Sequence, residues 1–147
     1  MKSFIAIIIL SVFASLTIIS CNKRDKAQSP AEMLAAGKWK LMQIATDDNH
    51  NHKLDDNEIK NVLPNDVETL MFNKDNTGDQ NVTFNGNNQD YPFTWQLFGT
   101  AILYRYMAGN DTIKYSVVTL AQSTLTLEDS TVLTNDTTVL NWYFYKR

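Results

Sequence analysis

Residues 37–58 read GKWKLMQIATDDNHNHKLDDNE, and the rest of the chain is organised around them. The first part, Lys38–Ala45, reads as a strand. A polar loop comes next, Asp47–Glu58, dense in Asp, Asn and His. The residues before this stretch read as address and tether. Those after it read as a run of short strands and turns.

The loop aligns with the twelve-residue EF-hand calcium loop. Asp47 falls at position 1, Asn49 at 3, Asn51 at 5, Lys53 at 7, Asp55 at 9 and Glu58 at 12. Lys53 needs to offer only its backbone carbonyl, and Glu58 stands where a bidentate carboxylate belongs. Calcium is a hard cation that takes six to eight oxygens, and alternate residues on a tight turn can supply them. Leu54 falls at position 8, a usual place for an apolar residue. The departure is His52 at position 6, where Gly normally supplies positive φ; His is among the few other residues that tolerate it. Two neutral Asn ligands weaken such a site. Two alternatives stand beside calcium: a plain Asp/Asn-rich surface turn, and a transition metal at the His50/His52 pair.

A chain of 147 residues with 11% aromatic and 20% charged residues is a single folded domain, not a disordered one. Its formal net charge is −3, and removing a leader whose one charge is Lys2 makes it −4. A mildly acidic chain without a basic patch excludes nucleic acid as a partner. One Cys excludes an internal disulfide framework.

Residues 1–20 form a leader: Lys2, then the apolar run FIAIIILSVFASLTII. It ends in Ile18-Ile19-Ser20-Cys21, which resembles the bacterial lipobox. That resemblance implies cleavage before Cys21 and acylation of its thiol and new amine by palmitate-like chains. Diacylation plus an amide-linked chain gives stable anchoring, at about 0.8 kcal/mol per buried CH₂. Residues 21–29 are then a lipidated tether, and NKRDKAQS is basic where surface-exported lipoproteins carry an acidic run. The expectation is an outer-membrane anchor facing the periplasm.

The fold proper is expected over 30–147. Ser29-Pro30-Ala31-Glu32 is a capping box with Pro at the first helical position, so a short helix is predicted over Pro30–Ala36. A second is predicted from Asp55 to Leu63, with Ile59, Val62 and Leu63 as its apolar stripe. Strands are then expected at Val67–Phe72, Gln80–Phe84, Tyr91–Phe98, Thr100–Met107, Thr112–Leu120, Ser123–Glu128 and Thr138–Lys146. The alternation in Thr124-Leu125-Thr126-Leu127-Glu128 turns Leu125 and Leu127 inward. With the first strand this makes a mainly β chain: about eight antiparallel strands, an up-and-down barrel with one or two short N-terminal helices.

Gly37-Lys38-Trp39 after a short helix resembles the G-x-W opening of lipocalins. The order LMFNKDNTG, PFTWQLF, STLTLED and closing WYFYKR resembles the lipocalin-like lipoproteins of Bacteroidetes. The resemblance spans nearly all of 37–147. It implies that Trp39 plugs the closed end of the barrel and that Lys146 or Arg147 packs over it. It also implies a cell-envelope binding module for a small or hydrophobic ligand. Aromatics at Trp95, Tyr104, Tyr106, Tyr115, Trp142, Tyr143, Phe144 and Tyr145 could equally fill the barrel. The alternative is then a structural or accessory lipoprotein that binds a protein partner. Catalysis is not expected: the chain has no G-x-S-x-G, HExxH or phosphate-binding glycine loop, and its two His share one loop.

Overall fold

The computed structural model describes residues 27–133 and 137–147. The leader, Cys21 with most of its tether, and part of the turn near Thr134 lie outside the described residues.

Helix α1 spans Pro30–Leu34. Its N-terminus is the expected reciprocal cap. The Ser29 Oγ accepts from Glu32 N at 3.2 Å, and Ser29 N donates to Glu32 Oε2 at 2.7 Å. The helix stops two residues short of Ala36. Its last carbonyl, on Leu34, accepts from the Trp39 indole at 2.9 Å instead of continuing the helical ladder.

The strands are β1 (Lys38–Thr46), β2 (Ile59–Asn61), β3 (Val67–Phe72), β4 (Thr77–Phe84), β5 (Asn87–Phe98), β6 (Ile102–Met107), β7 (Thr112–Leu120), β8 (Thr124–Val132) and β9 (Thr138–Lys146). From β3 to β9 each pairs antiparallel with the next, and β9 returns to β1, from Lys40↔Lys146 to Thr46↔Asn141. Omitting β2, eight strands form a closed antiparallel barrel, as the alternation predicts. Closure leaves β4–β9 each paired on both sides.

Three strands begin earlier or run further than their apolar pattern indicates. Asn87–Asp90 has no hydrophobic alternation, yet it pairs with β4 from Phe84↔Asn87 to Asn81↔Asp90. Polar cross-strand bonds serve there: Thr83 Oγ1 to Asn88 Oδ1 at 2.9 Å and Asn81 Nδ2 to Asp90 Oδ1 at 2.6 Å. The hairpin turns through Asn85 and Gly86, φ 48° and 78°, the positive pair that a two-residue primed turn requires. β4 likewise begins at Thr77, and β8 runs on to Val132.

The second helix expected from Asp55 to Leu63 does not form. Asp56–Glu58 make one 3₁₀ turn, and Ile59–Asn61 are strand β2. The reason lies in β1. Along one edge β1 pairs with β3 only over Lys38–Lys40, and its later residues need another backbone partner. β2 supplies it, Gln43↔Asn61 to Ala45↔Ile59, and Val62 N adds a bond to Met42 O at 3.0 Å. The predicted apolar stripe instead serves a strand and the turn after it.

Inside the barrel, Trp39, Leu70, Phe72, Leu103, Leu125 and Leu127 are fully or almost fully buried, with Leu34 of α1 against them. Phe72 meets the rings of Phe93 and Trp95 edge to face, each at 5.5 Å. Gly78 faces this cluster because nothing larger fits. A Cβ there would lie 2.5 Å from the Met71 carbonyl oxygen and collide with the Phe93 ring.

Candidate functional site

The barrel is closed at one end by α1, Trp39 and Arg147. Arg147 stacks over the indole of Trp39 at 4.4 Å and donates to the carbonyls of Met33, at 3.0 Å, and Gln122. Arg147 therefore takes the covering role. Lys146 is exposed and pairs across strands with Lys40 and Thr124.

The other end opens at a seam. Beyond Lys40 and Thr69, β1 and β3 no longer pair, and β2 takes the edge of β1. A cleft of about 380 Å³ lies in that gap. Leu41 and Ile44 come to it from β1, Val62 and Leu63 from the turn after β2, Glu68 from β3, and Val82 and Phe84 from β4. Ile44, Leu63 and Phe84 are 38%, 66% and 59% exposed, an apolar rim open to solvent. The volume falls at the lower end of the range of about 300–1,000 Å³ for small-molecule pockets. A second depression, about 490 Å³, is lined by β4, β5 and the end of β6, among them Thr77, Phe93, Thr94 and Tyr106.

Two charged side chains, Glu68 and Arg105, belong to the inward face of the barrel. Glu68 is on the inward face of β3, two residues from Leu70 and four from Phe72. Its Oε1 accepts from the Tyr145 hydroxyl at 2.8 Å. Arg105, 1% exposed, lies between the rings of Phe93 and Tyr115. Its guanidinium donates to Tyr115 Oη at 3.2 Å and Gln80 Oε1 at 2.5 Å, while Nε has no partner among the described residues. Burial, then the Glu68 charge, pushes the Tyr145 hydroxyl well above its ordinary value. Burial also raises Tyr143, with Asp129 adding to it, and raises Tyr115. Motif and composition single out neither Glu68 nor Arg105. The sequence signal is their register: both alternate with apolar residues of the inward face.

Within the loop, Asn49 and Asn51 bond Asp55, while Asp47 and Glu58 bond backbone N–H groups. Asp47 is fully buried and Glu58 is 3% exposed. Asp47 accepts from the backbone N–H of Asn51 at 2.9 Å and of His52 at 3.0 Å. Glu58 accepts from Asp48 N at 3.0 Å and Asp55 N at 3.2 Å. Asn49 and Asn51 turn their amide nitrogens onto Asp55 Oδ2, at 2.9 and 2.7 Å, and these bonds hold the Asp55 carboxyl below its usual range. Their oxygens accept from Asn51 N and Lys53 N. His52 has φ 58°, as position 6 requires, and His50 has φ 57°. In this conformation the loop is a self-capped turn. Each Asn oxygen thus accepts one backbone N–H, and one of its two lone pairs remains. Among the described residues no three His, Cys, Asp or Glu side chains form a metal-holding group. His50 and His52 are both exposed.

A family model described as a lipocalin-like domain matches residues 36–127, more than half of the chain. The chain belongs to the lipocalin-like domain family. Its fold is similar to those of several solved structures. Bovine odorant-binding protein is 15% identical, with 85% of this chain and 77% of that one covered, at a TM-score of 0.47. Apocrustacyanin C2 is 12% identical, with 82% and 64% covered, at 0.50. Aphrodisin, a sex pheromone from female hamster, is 10% identical, with 76% and 73% covered, at 0.44. Such identities speak to fold alone. No curated protein matches the chain. The family match begins one residue before Gly37 and ends at Leu127, so this lipocalin-like domain carries its defining segment from β1 into β8.

Proposed function

We propose that this lipocalin-like domain is a binding module, anchored in the cell envelope, that holds a small hydrophobic ligand in the cleft between β1 and β3. The observation that supports it is the cleft itself: an apolar recess beside a cluster of buried hydrophobic side chains. The anchor is acyl-Cys21, proposed from the lipobox Ile18–Cys21, and the basic tether favours an outer-membrane site facing the periplasm. No catalytic role is proposed. The test is titration of the full chain in nanodiscs with an environment-sensitive naphthalene dye, competed with saturated alcohols. Val82→Trp should fill the cleft and abolish the signal. An unchanged signal in that variant would remove the cleft reading and leave the partner-binding, filled-barrel alternative. Cys21→Ala should release the protein from membranes or stall its maturation; membrane fractionation identical to wild type would remove the anchor.

Calcium is a second reading of the Asp47–Glu58 loop. What favours it is the positive φ of His52 together with two buried carboxylates whose oxygens each keep a spare lone pair. Asp47, Asp55, Glu58 and the Lys53 carbonyl would hold the ion, joined by Asn49 and Asn51 once their amides turn. The ion would tie β1 to β2.

A further inference from the structure

We infer that the cleft between β1 and β3 selects ligands that end in a positively charged nitrogen, and that Glu68 recognises it; this rests on reading the cleft as a ligand site. Glu68 is half-buried on the inward face of β3 and lines the cleft beside Leu41, Ile44 and Val82. Its carboxyl is held in place by the Tyr145 hydroxyl, itself buried, through one bond to Oε1. A carboxylate has about four lone-pair sites, so most of its accepting capacity remains.

Among the described residues the ion pairs within 4 Å are His52–Asp47 and Lys60–Asp48. Glu68 is in neither. The cation inside the barrel, Arg105, is engaged by Tyr115 and Gln80 and packed on Phe93. A carboxylate beside apolar walls with no ion-pair partner within 4 Å is costly, and a ligand ammonium would supply both the charge and the donors. The rim agrees in sign. Asp66 adds a second carboxylate at the cleft, while Lys60, the one cation lining it, is turned to Asp48 at 3.5 Å. The apolar rim at Ile44, Leu63 and Phe84 fits an alkyl or aryl tail. The chemical class is therefore an amphipathic amine, not a fatty acid.

The test uses three probes that share one tail: n-octylamine, n-octanol and octanoate. Each is titrated calorimetrically into the full chain in zwitterionic nanodiscs, with empty nanodiscs as the blank. Octylamine should bind about tenfold more tightly than octanol, and octanoate most weakly. Glu68→Gln is nearly isosteric and keeps an oxygen for Tyr145, so the variant should fold and bind amine and alcohol alike. An amine advantage that survives Glu68→Gln, or tighter binding of octanoate, would overturn the assignment of Glu68 while leaving the cleft a ligand site. Failure of all three probes to bind wild type would remove the ligand-site reading itself. Val82→Trp, which leaves Glu68 in place, should lose all three probes; retained amine binding there would put the amine site elsewhere and overturn the inference.

Discussion

The guanidinium of Arg147, the last residue, lies 4.4 Å over the indole of Trp39, near the start of β1. The contact fastens the two ends of the barrel sequence together at its closed end. It also accounts for the residue two places before the Trp. A Cβ on Gly37 would come within 3.1 Å of Arg147 Cδ, tight enough that the Arg side chain would have to give way slightly. The indole N–H and one guanidinium nitrogen both reach the end of α1, at Leu34 O and Met33 O. One short helix is thereby held by both ends of the barrel.

Arg147→Ala should therefore cost about 1–3 kcal/mol, from the lost stacking and the carbonyls left without their charged donor. Arg147→Lys should restore little of it, because an ammonium cannot stack flat and reach two carbonyls together. Trp39→Ala should cost about 3–5 kcal/mol. Urea unfolding of the single and double variants checks the pair. Strict additivity would show that the stacked geometry carries no coupling.

The closed end is legible in the sequence because its parts are punctuation and bulk. Ser29, Pro30 and Glu32 announce a helix start, and Trp39 and Arg147 stand in recognisable places. Alternation around Leu125 and Leu127 is equally readable, and both are fully buried. The open end is less so. Ile59, Val62 and Leu63 have helical spacing, but whether they form a helix depends on the edge of β1 that β3 leaves unpaired beyond Lys40, a tertiary fact. Glu68 and Arg105 escape a reading by residue type because charge alone suggests solvent, whereas their register with Leu70 and Leu103 places them inside. The loop is found by spacing. Spacing does not report that Asn49 and Asn51 present nitrogens to Asp55.

Gly78→Ala tests how tightly the barrel wall is packed. The new methyl would meet the Met71 carbonyl and the Phe93 ring, and the backbone partner cannot rotate away. A cost of about 1–3 kcal/mol is expected. A melting temperature equal to wild type would mean that Phe93 does not cover Gly78.

The buried tyrosines predict an alkaline limit to stability. Tyr115, Tyr143 and Tyr145 all have hydroxyls raised above their ordinary value, with burial the first cause in each. Their folded pKa values exceed the unfolded value of about 10, so the folded state keeps protons that the unfolded chain would release. Their contribution is full below that pH and falls as pH rises through and beyond it. Urea midpoints should decline above about pH 10, and more gently in Tyr145→Phe. Absorbance titration of the folded protein should show these three hydroxyls ionising late. A single tyrosinate step near the ordinary value for all 6 tyrosines would contradict the buried placement.

The loop prediction separates two roles of Glu58. Its oxygens accept from Asp48 N and Asp55 N, and the side chain is buried, so Glu58→Gln replaces one acceptor with an N–H facing an N–H. That should cost about 1–3 kcal/mol in chelator, before any ion is considered. If the loop also takes calcium, its two neutral Asn ligands place the affinity at the weak end, about 10⁻⁴–10⁻³ M. Calcium at ten times its Kd would then add about 1.4 kcal/mol to wild type by linkage. Glu58→Gln should lose that increment as well, because the bidentate carboxylate is gone. Melting of both proteins in millimolar calcium, in magnesium and in chelator distinguishes the roles. A wild type that melts alike in all three, with Glu58→Gln lower by the same amount in each, would make Asp47 and Glu58 caps for the backbone and nothing more.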